Sequence, residues 1–228
     1  MENGVLYIVA TPIGNVEDLS PRAKRTLDEV DLVLCEDTRV SSKLFSKLGI
    51  NTPRESFHQH TEREKLSRFV DRLLSGENMA LVSDAGTPTI SDPGGKLVAE
   101  AAASNIKVVP IPGPSALITA LSASGFPSDE FTFLGFAPNK KGRNKFFANL
   151  ALIERTIAIY ESKHRIIKTL EALPQDRRIV VARELTKMHE TIYRGLPADV
   201  IKQIESTSAK GEFVIILAPI SHELKAIS

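Results

Sequence analysis

Apolar residues along this chain fall into short uninterrupted runs, separated by longer stretches in which they recur every three or four positions. The runs are Val5–Ala10, Leu32–Cys35, Ala80–Val82, Lys107–Ile111, Phe131–Phe136, Thr156–Tyr160, Ile179–Ala182 and Phe213–Leu217. Several are continuous rather than alternating, as expected of strands buried on both faces of a sheet. The clearest helix spans Thr61–Ser75. Leu66, Phe69, Val70, Leu73 and Leu74 share one face of it, Thr61 and Glu64 have the spacing of a capping box, and Gly76 stands where a helix ends. Ser20-Pro21 reads as the start of another helix. Pro197 with Val200, Ile201 and Ile204, and Ser162 with Ile166, Ile167, Leu170 and Leu173, predict two more. Strands alternating with helices predict an α/β fold with largely parallel sheet.

Pro110-Ile111-Pro112-Gly113-Pro114 puts three prolines into five residues at the midpoint of the chain. No helix continues through it, and few donors remain for a sheet. It predicts a division into residues 1–113 and 114–228, each with about four strands and three or four helices. The 228 residues leave room for two domains of ordinary size.

Composition narrows the classes further. Hydrophobic residues make up 42% and charged residues 25%, which excludes a disordered chain or a fibre. The lone Cys35 excludes an internal disulfide and a cysteine-rich zinc site. With 29 basic and 28 acidic residues the net charge is +1, so a nucleic-acid partner must meet a local basic patch. No apolar run reaches the ~20 residues of a membrane span. The opening MENGVLYIVATP has no basic segment ahead of a long apolar stretch, so no signal peptide is expected, and the cytoplasm is the expected compartment.

Turn-forming residues concentrate at four strand ends. These are Thr11–Asn15, Glu36-Asp37-Thr38-Arg39, Ser83–Gly95 and Pro112–Ala116. The carboxyl edge of a parallel sheet is where such folds place ligands, and small residues there admit close approach to the backbone. Asp84 offers a carboxylate for ligand hydroxyls. The same residues also fit plain strand-to-helix loops, with Asp92 near a helix start. Glu36, Asp37 and Arg39 equally fit a salt-bridged turn. The phosphate-cradling glycine signatures are absent, as is H-E-x-x-H. His58 and His60 lack further ligands nearby, so no metal is expected. A ligand with adenine and ribose but no phosphates suits this edge, and S-adenosylmethionine is one.

The residues Leu6–Asn15, Glu36–Arg39, Ser83–Gly94 and Pro112–Ala116 together resemble the tetrapyrrole methylase superfamily. More narrowly they resemble its ribosomal RNA small subunit methyltransferase I group. Phe133–Pro138, Tyr160-Glu161-Ser162 and Ala182–Lys187 match that group too, in the expected order. Lys163 departs from it, standing where the group usually has proline.

The resemblance implies two α/β domains with a mixed sheet in the second, the cofactor in the cleft between them, and a homodimer. It implies methyl transfer from S-adenosylmethionine to the ribose 2′-hydroxyl of a cytidine in the decoding region of 16S ribosomal RNA. By motif, Ala85, Gly86, Thr87, Ile90, Ser115 and Ala116 would contact the cofactor, joined by Tyr160, Glu161, Leu185 and Phe213. A base that takes the hydroxyl proton would come from Glu36, Asp37, Asp84 or Glu184, with Arg39 orienting a carboxylate or phosphate. Lys140, Lys141, Arg143 and Lys145 form a basic run without an acid, fit to hold RNA phosphates or simply to begin a solvated helix. Two other functions fit the motifs less well. They are methylation of a tetrapyrrole or corrin, which would favour a G-x-G-x-G first turn and no basic run, and a non-catalytic sensor of an adenosine ligand.

Overall fold

The computed structural model describes residues 2–58 and 61–220. The backbone divides into two units, Met1–Ser115 and Ala116–Ser228. In the first, strand and helix alternate as β1 (Val5–Val9), α1 (Pro21–Glu29), β2 (Leu32–Cys35), α2 (Thr38–Leu48), β3 (Arg54–Ser56), α3 (Arg63–Leu74), β4 (Met79–Val82), α4 (Gly95–Ala103) and β5 (Lys107–Ile111). The strands are parallel, in the order β3-β2-β4-β1-β5.

Every residue of β2 and β4 is buried. Val33, Cys35, Ala80 and Val82 pack with Leu27 of α1 and Phe45 of α2 on one face. Leu32, Leu34, Met79 and Leu81 pack with Phe69 of α3 and Leu97 of α4 on the other. The period-2 alternation of a strand persists, but both faces are apolar, so these runs read as unbroken. Fully burying a side chain such as Phe45 or Phe69 contributes about 1.5–3 kcal/mol.

Local signals decide several helix ends. The Ser20 hydroxyl accepts the amide of Ala23 at 3.1 Å, and Pro21 opens α1. Gly76, at φ +99°, closes α3 in a Schellman motif. There the amides of Gly76 and Glu77 donate to the carbonyls of Leu73 and Arg72, both at 3.1 Å. The capping box at Thr61 and Glu64 does not form. Glu62 occupies the cap position without a side-chain bond. Thr61 instead closes a turn, its hydroxyl accepting the amide of His58 at 2.9 Å. His60 lies outside the described residues.

The second unit contains α5 (Ala116–Ser122), β6 (Phe131–Phe136), α6 (Arg143–Leu150), β7 (Thr156–Ser162), α7 (Ile166–Ala172), β8 (Ile179–Arg183), β9 (Thr191–Gly195), α8 (Pro197–Ser206) and β10 (Glu212–Leu217). Its sheet runs β6-β7-β10-β8-β9. Only β6 and β7 are parallel; the other pairs are antiparallel, so this sheet is mixed. Ile157, Ile159, Val181 and Ile215 face a core completed by Phe147, Leu170 and Ile204 of α6, α7 and α8. Helix α5 packs on β7 and β10. Ser162 ends β7 rather than beginning a helix, because the strand pairs with β10 as far as Glu212; α7 starts four residues later.

Among the described residues each unit has five strands, one more than the apolar runs predict. The additional strands, β3 and β9, lie at sheet edges. Strand β3 reads Arg-Glu-Ser with no apolar residue, so pairing with β2, not burial, makes it a strand. Pro110 is tolerated within β5 because that strand too is an edge.

Candidate functional site

In the first unit, β1 and β4 are neighbours whose connections leave in opposite directions, one to β2 and the other to β5. A crevice at the carboxyl ends of such strands is where open α/β sheets bind ligands. Here the two loops interlock. The amide of Thr11 donates to the carbonyl of Gly86 at 2.9 Å, and the amide of Gly86 returns a bond to Thr11 at 3.0 Å. The Thr11 hydroxyl donates to the Ser83 carbonyl at 3.1 Å. The turn after β5 joins them, since the Thr87 hydroxyl donates to the carbonyl of Pro114 at 3.1 Å.

Gly86 makes this meeting possible. Its φ is +84°, and a Cβ there would stand 3.3 Å from Ile13 Cγ2. Gly113 is equally confined, for its Cβ would lie 2.9 Å from that of Ala10. Thr89 and Ser91 adopt φ of +73° and +63°. Two non-glycine residues in the left-handed region of one loop are the kind of strain that collects at functional sites.

Carboxylates from two strand ends converge on the same edge. The amide of Asp37 donates to Asp84 Oδ1 at 3.1 Å, tying the β2 and β4 ends together. Burial, followed by the nearness of Asp84, raises the pKa of Glu36. Burial likewise raises Asp84. Asp92 is pushed up to about 6 by burial, then by Glu36 and Asp84, against a hydrogen bond from Ser83. Among the described residues no lysine or arginine pairs with Glu36, Asp84 or Asp92. The edge is therefore a negative, glycine-floored shelf.

Asp37 is differently placed from its neighbours. Its carboxylate caps α2 by accepting the Arg39 amide at 2.8 Å, and grips the Arg39 guanidinium at 2.6 Å. These bonds hold its pKa down to about 2. Asp37 and Arg39 thus make the salt-bridged turn that begins α2. Of the other first-unit positions expected to meet a cofactor, Ala85 and Ile90 are exposed, Thr87 and Ser115 are half-buried, and Gly86 is buried.

In the second unit, the half-buried Ala116 starts α5. Tyr160 and Glu161 lie on β7 facing opposite ways. Glu161 is fully buried, with Arg165 at 2.8 Å, the Thr169 hydroxyl at 2.6 Å and the amide of Ser162 at 2.7 Å. Its carboxylate is spent on holding β7 to α7. Phe213 and Leu185 are buried, and the Phe213 ring belongs to the core. Leu185 sits between Glu184 and Thr186, at φ of +51° and +65°. Glu184 Oε1 accepts the amide of Glu212 at 2.9 Å and Lys187 Nζ at 3.0 Å. Burial raises its pKa, but these bonds outweigh that and leave it lowered. Glu184 is a clamp between β8 and β10.

The basic run separates into two kinds of residue. Lys140, Lys141 and Lys145 are exposed. Arg143 lies over the Phe147 ring at 4.7 Å and donates to the Pro138 and Lys168 carbonyls and the Thr169 hydroxyl. It fastens α6 to α7. Asp92, expected only near a helix start, is a further titratable group of the first-unit edge. Its only local signal is the Asp-Pro-Gly-Gly turn, because its high pKa depends on burial in the fold, and then on lying beside Glu36 and Asp84.

Residues 5–201 match the model of the tetrapyrrole (corrin/porphyrin) methylases. The chain is 47% identical to ribosomal RNA small subunit methyltransferase I of Synechocystis, over 94% of this chain and 79% of that protein. The Xylella fastidiosa protein of the same name is 50% identical, over 94% and 81%. Among solved structures, a diphthine synthase superposes with a TM-score of 0.70 at 14% identity, covering 94% of this chain and 90% of that one. A cobalt precorrin-4 methyltransferase gives 0.69 at 19%, covering 94% of both. At such identities these two likenesses speak for the fold, whereas the sequence relatives narrow the group. The chain belongs to the tetrapyrrole methylase family, within its ribosomal RNA small subunit methyltransferase I group.

Proposed function

We propose that this protein transfers a methyl group from S-adenosylmethionine to small-subunit ribosomal RNA, at the 2′-hydroxyl of a cytidine in the decoding region of 16S RNA. The observation that carries this reading is identity of 47% and 50%, along 94% of the chain, to proteins named for small-subunit RNA methylation. S-adenosylmethionine supplies the activated methyl group on its sulfonium. The residues at the first-unit edge fit such a ligand. Gly86 and Gly113 leave backbone where a side chain would intrude, and Glu36, Asp84 and Asp92 place negative charge beside a cationic group. Ala85, Thr87, Ile90, Ser115 and Ala116 complete the proposed cofactor contacts, with Tyr160, Leu185 and the backbone of Glu161 and Phe213 from the second unit.

Alignment of donor and hydroxyl supplies much of the rate of an in-line displacement. A base for the hydroxyl proton adds to it. Glu36 fits that role best, because its pKa is raised whereas that of Asp37 is held to about 2. Asp37 and Arg39 act as positioning residues that hold Glu36 at the β2 end. Lys140, Lys141 and Lys145 hold RNA phosphates, the protein works as a homodimer, and it acts in the cytoplasm with its RNA.

The test is methyl transfer from labelled S-adenosylmethionine to small subunits of cells lacking the gene, with the product located by mass spectrometry. Label on a cytidine ribose of the decoding region is expected. Label only on an added tetrapyrrole, or binding of the cofactor with no transfer to any acceptor, would overturn the reading.

A further inference from the structure

Strand β6 carries a β-bulge. It pairs Phe133 with Ala158 and then Phe136 with Tyr160, so three steps on β6 match two on β7. Gly135, at φ +62°, absorbs the extra residue. Without the bulge, Phe133 and Phe136 would point to opposite faces. With it, both reach the face that Tyr160 occupies, while Leu134 packs into the core on the other side. The Phe133 and Tyr160 rings meet edge-on at 4.9 Å between centroids, and Phe136 leans on Tyr160 at 5.5 Å. Two rings thus buttress a third, yet Phe136 remains 53% exposed. A bulge that brings a half-exposed aromatic ring to this face is not explained by packing.

The chain then runs directly into Asn139-Lys140-Lys141. Lys140 and Lys141 follow Phe136 by four and five residues, a reach of at most about 14 and 18 Å, so both stay in the neighbourhood of the Phe136 ring. Among the described residues neither lysine forms an ion pair. An exposed ring beside unpaired cations is complementary to an unstacked nucleotide, which offers one π-face and adjacent phosphates.

We propose that Phe136, braced by Tyr160 and Phe133, is a stacking platform for one base of the substrate RNA, and that Lys140 and Lys141 hold the phosphates next to that base. This rests on the RNA-methyltransferase reading. It adds a specific device: the protein admits its substrate as a base taken out of its strand, not as an intact helix.

The experiment compares Phe136→Ala, Phe136→Leu and Phe136→Trp in the full chain, each first checked for an unchanged melting curve. Affinity for a small-subunit RNA fragment, affinity for S-adenosylmethionine and molar mass in solution are measured for each. Losing a stacked base should weaken RNA affinity on the order of 10-fold to 100-fold in the alanine variant. The leucine variant, apolar but without a π-face, should lose most of the same, and tryptophan should retain near-normal affinity. Cofactor affinity should change far less than RNA affinity, because Phe133 still holds Tyr160, and mass should not change. Unaltered RNA affinity in the alanine variant would overturn the platform. So would a parallel loss of S-adenosylmethionine affinity, which would put the ring against the cofactor, or a fall in mass, which would put it in a subunit interface. If the wild-type protein methylates no RNA, it is the functional reading that fails; an active wild type with an indifferent Phe136→Ala variant sinks the platform alone.

Discussion

A single missing Cβ decides whether the loops after β1 and β4 can meet. At Gly86 any side chain must adopt φ +84° and press on Ile13. The left-handed conformation costs a non-glycine residue about 1–2 kcal/mol. Gly86→Leu is expected to lose S-adenosylmethionine affinity at least 10-fold and to melt several degrees lower, by calorimetry and thermal unfolding. Glu36 and Asp37 should separate by function. Glu36→Gln should slow methyl transfer on the order of 100-fold with both ligands still bound, whereas Asp37→Asn should act mainly through the α2 turn and leave a larger residual rate. Single-turnover kinetics distinguishes the two. Asp92 offers a pH test of the acidic shelf. Its pKa of about 6 in the fold exceeds the ordinary 3.8, so the folded state holds the proton more tightly. The stability linked to it is present below pH 3.8 and is lost as pH rises through 6. Asp92→Asn should therefore be more stable than wild type above pH 6, by about 1 kcal/mol given its partial exposure. The difference should vanish at pH 4, as denaturant titrations at the two pH values would show.

The loop ahead of α6 shows how one basic run can contain two kinds of residue. Replacing Lys140, Lys141 and Lys145 with glutamine should weaken RNA binding and flatten its salt dependence, by a log–log slope of about 0.7–0.9 for each phosphate no longer neutralised. Arg143→Gln should leave that slope nearly unchanged and lower stability instead, by about 1–3 kcal/mol, because three acceptors and the Phe147 ring are left without their partner. A triple variant with the wild-type slope would remove this loop from the RNA surface. Helix ends differ in the same way. Ser20→Ala should destabilise α1 by about 1 kcal/mol. Thr61→Ala should not show a cap's loss at α3, since its hydroxyl serves the turn at His58.

At the scale of the whole molecule, the two five-stranded sheets of the described residues are built by different rules. The first is wholly parallel, with its central strands β2 and β4 buried on both faces; the second turns back on itself through antiparallel pairs. A homodimer should scatter light as about twice the 25.0 kDa chain at micromolar concentration, and a monomer at that concentration would remove dimerisation from the proposal.

The strands were legible wherever burial made them so. Runs such as Leu32–Cys35 and Phe213–Leu217 stand out because a strand enclosed on both faces must be apolar throughout. Ser20-Pro21 and Gly76 were readable because a cap and a left-handed residue are local demands on local chemistry. The strand-end turns of the shelf were visible for the same reason, as concentrations of glycine, proline and aspartate. The edge strands β3 and β9 were not visible, since an edge strand owes its conformation to its neighbour's backbone. Nor were the fates of charged residues. Asp37 and Arg39 hold each other, Glu161 is consumed by α7, Arg143 by Phe147 and Thr169, and Asp92 acquires its high pKa from burial, with Glu36 and Asp84 adding to it. A charge reads alike in a sequence whether it faces water, a partner or another charge. Desolvation and distance separate these cases, and both arise only when remote segments meet in the fold.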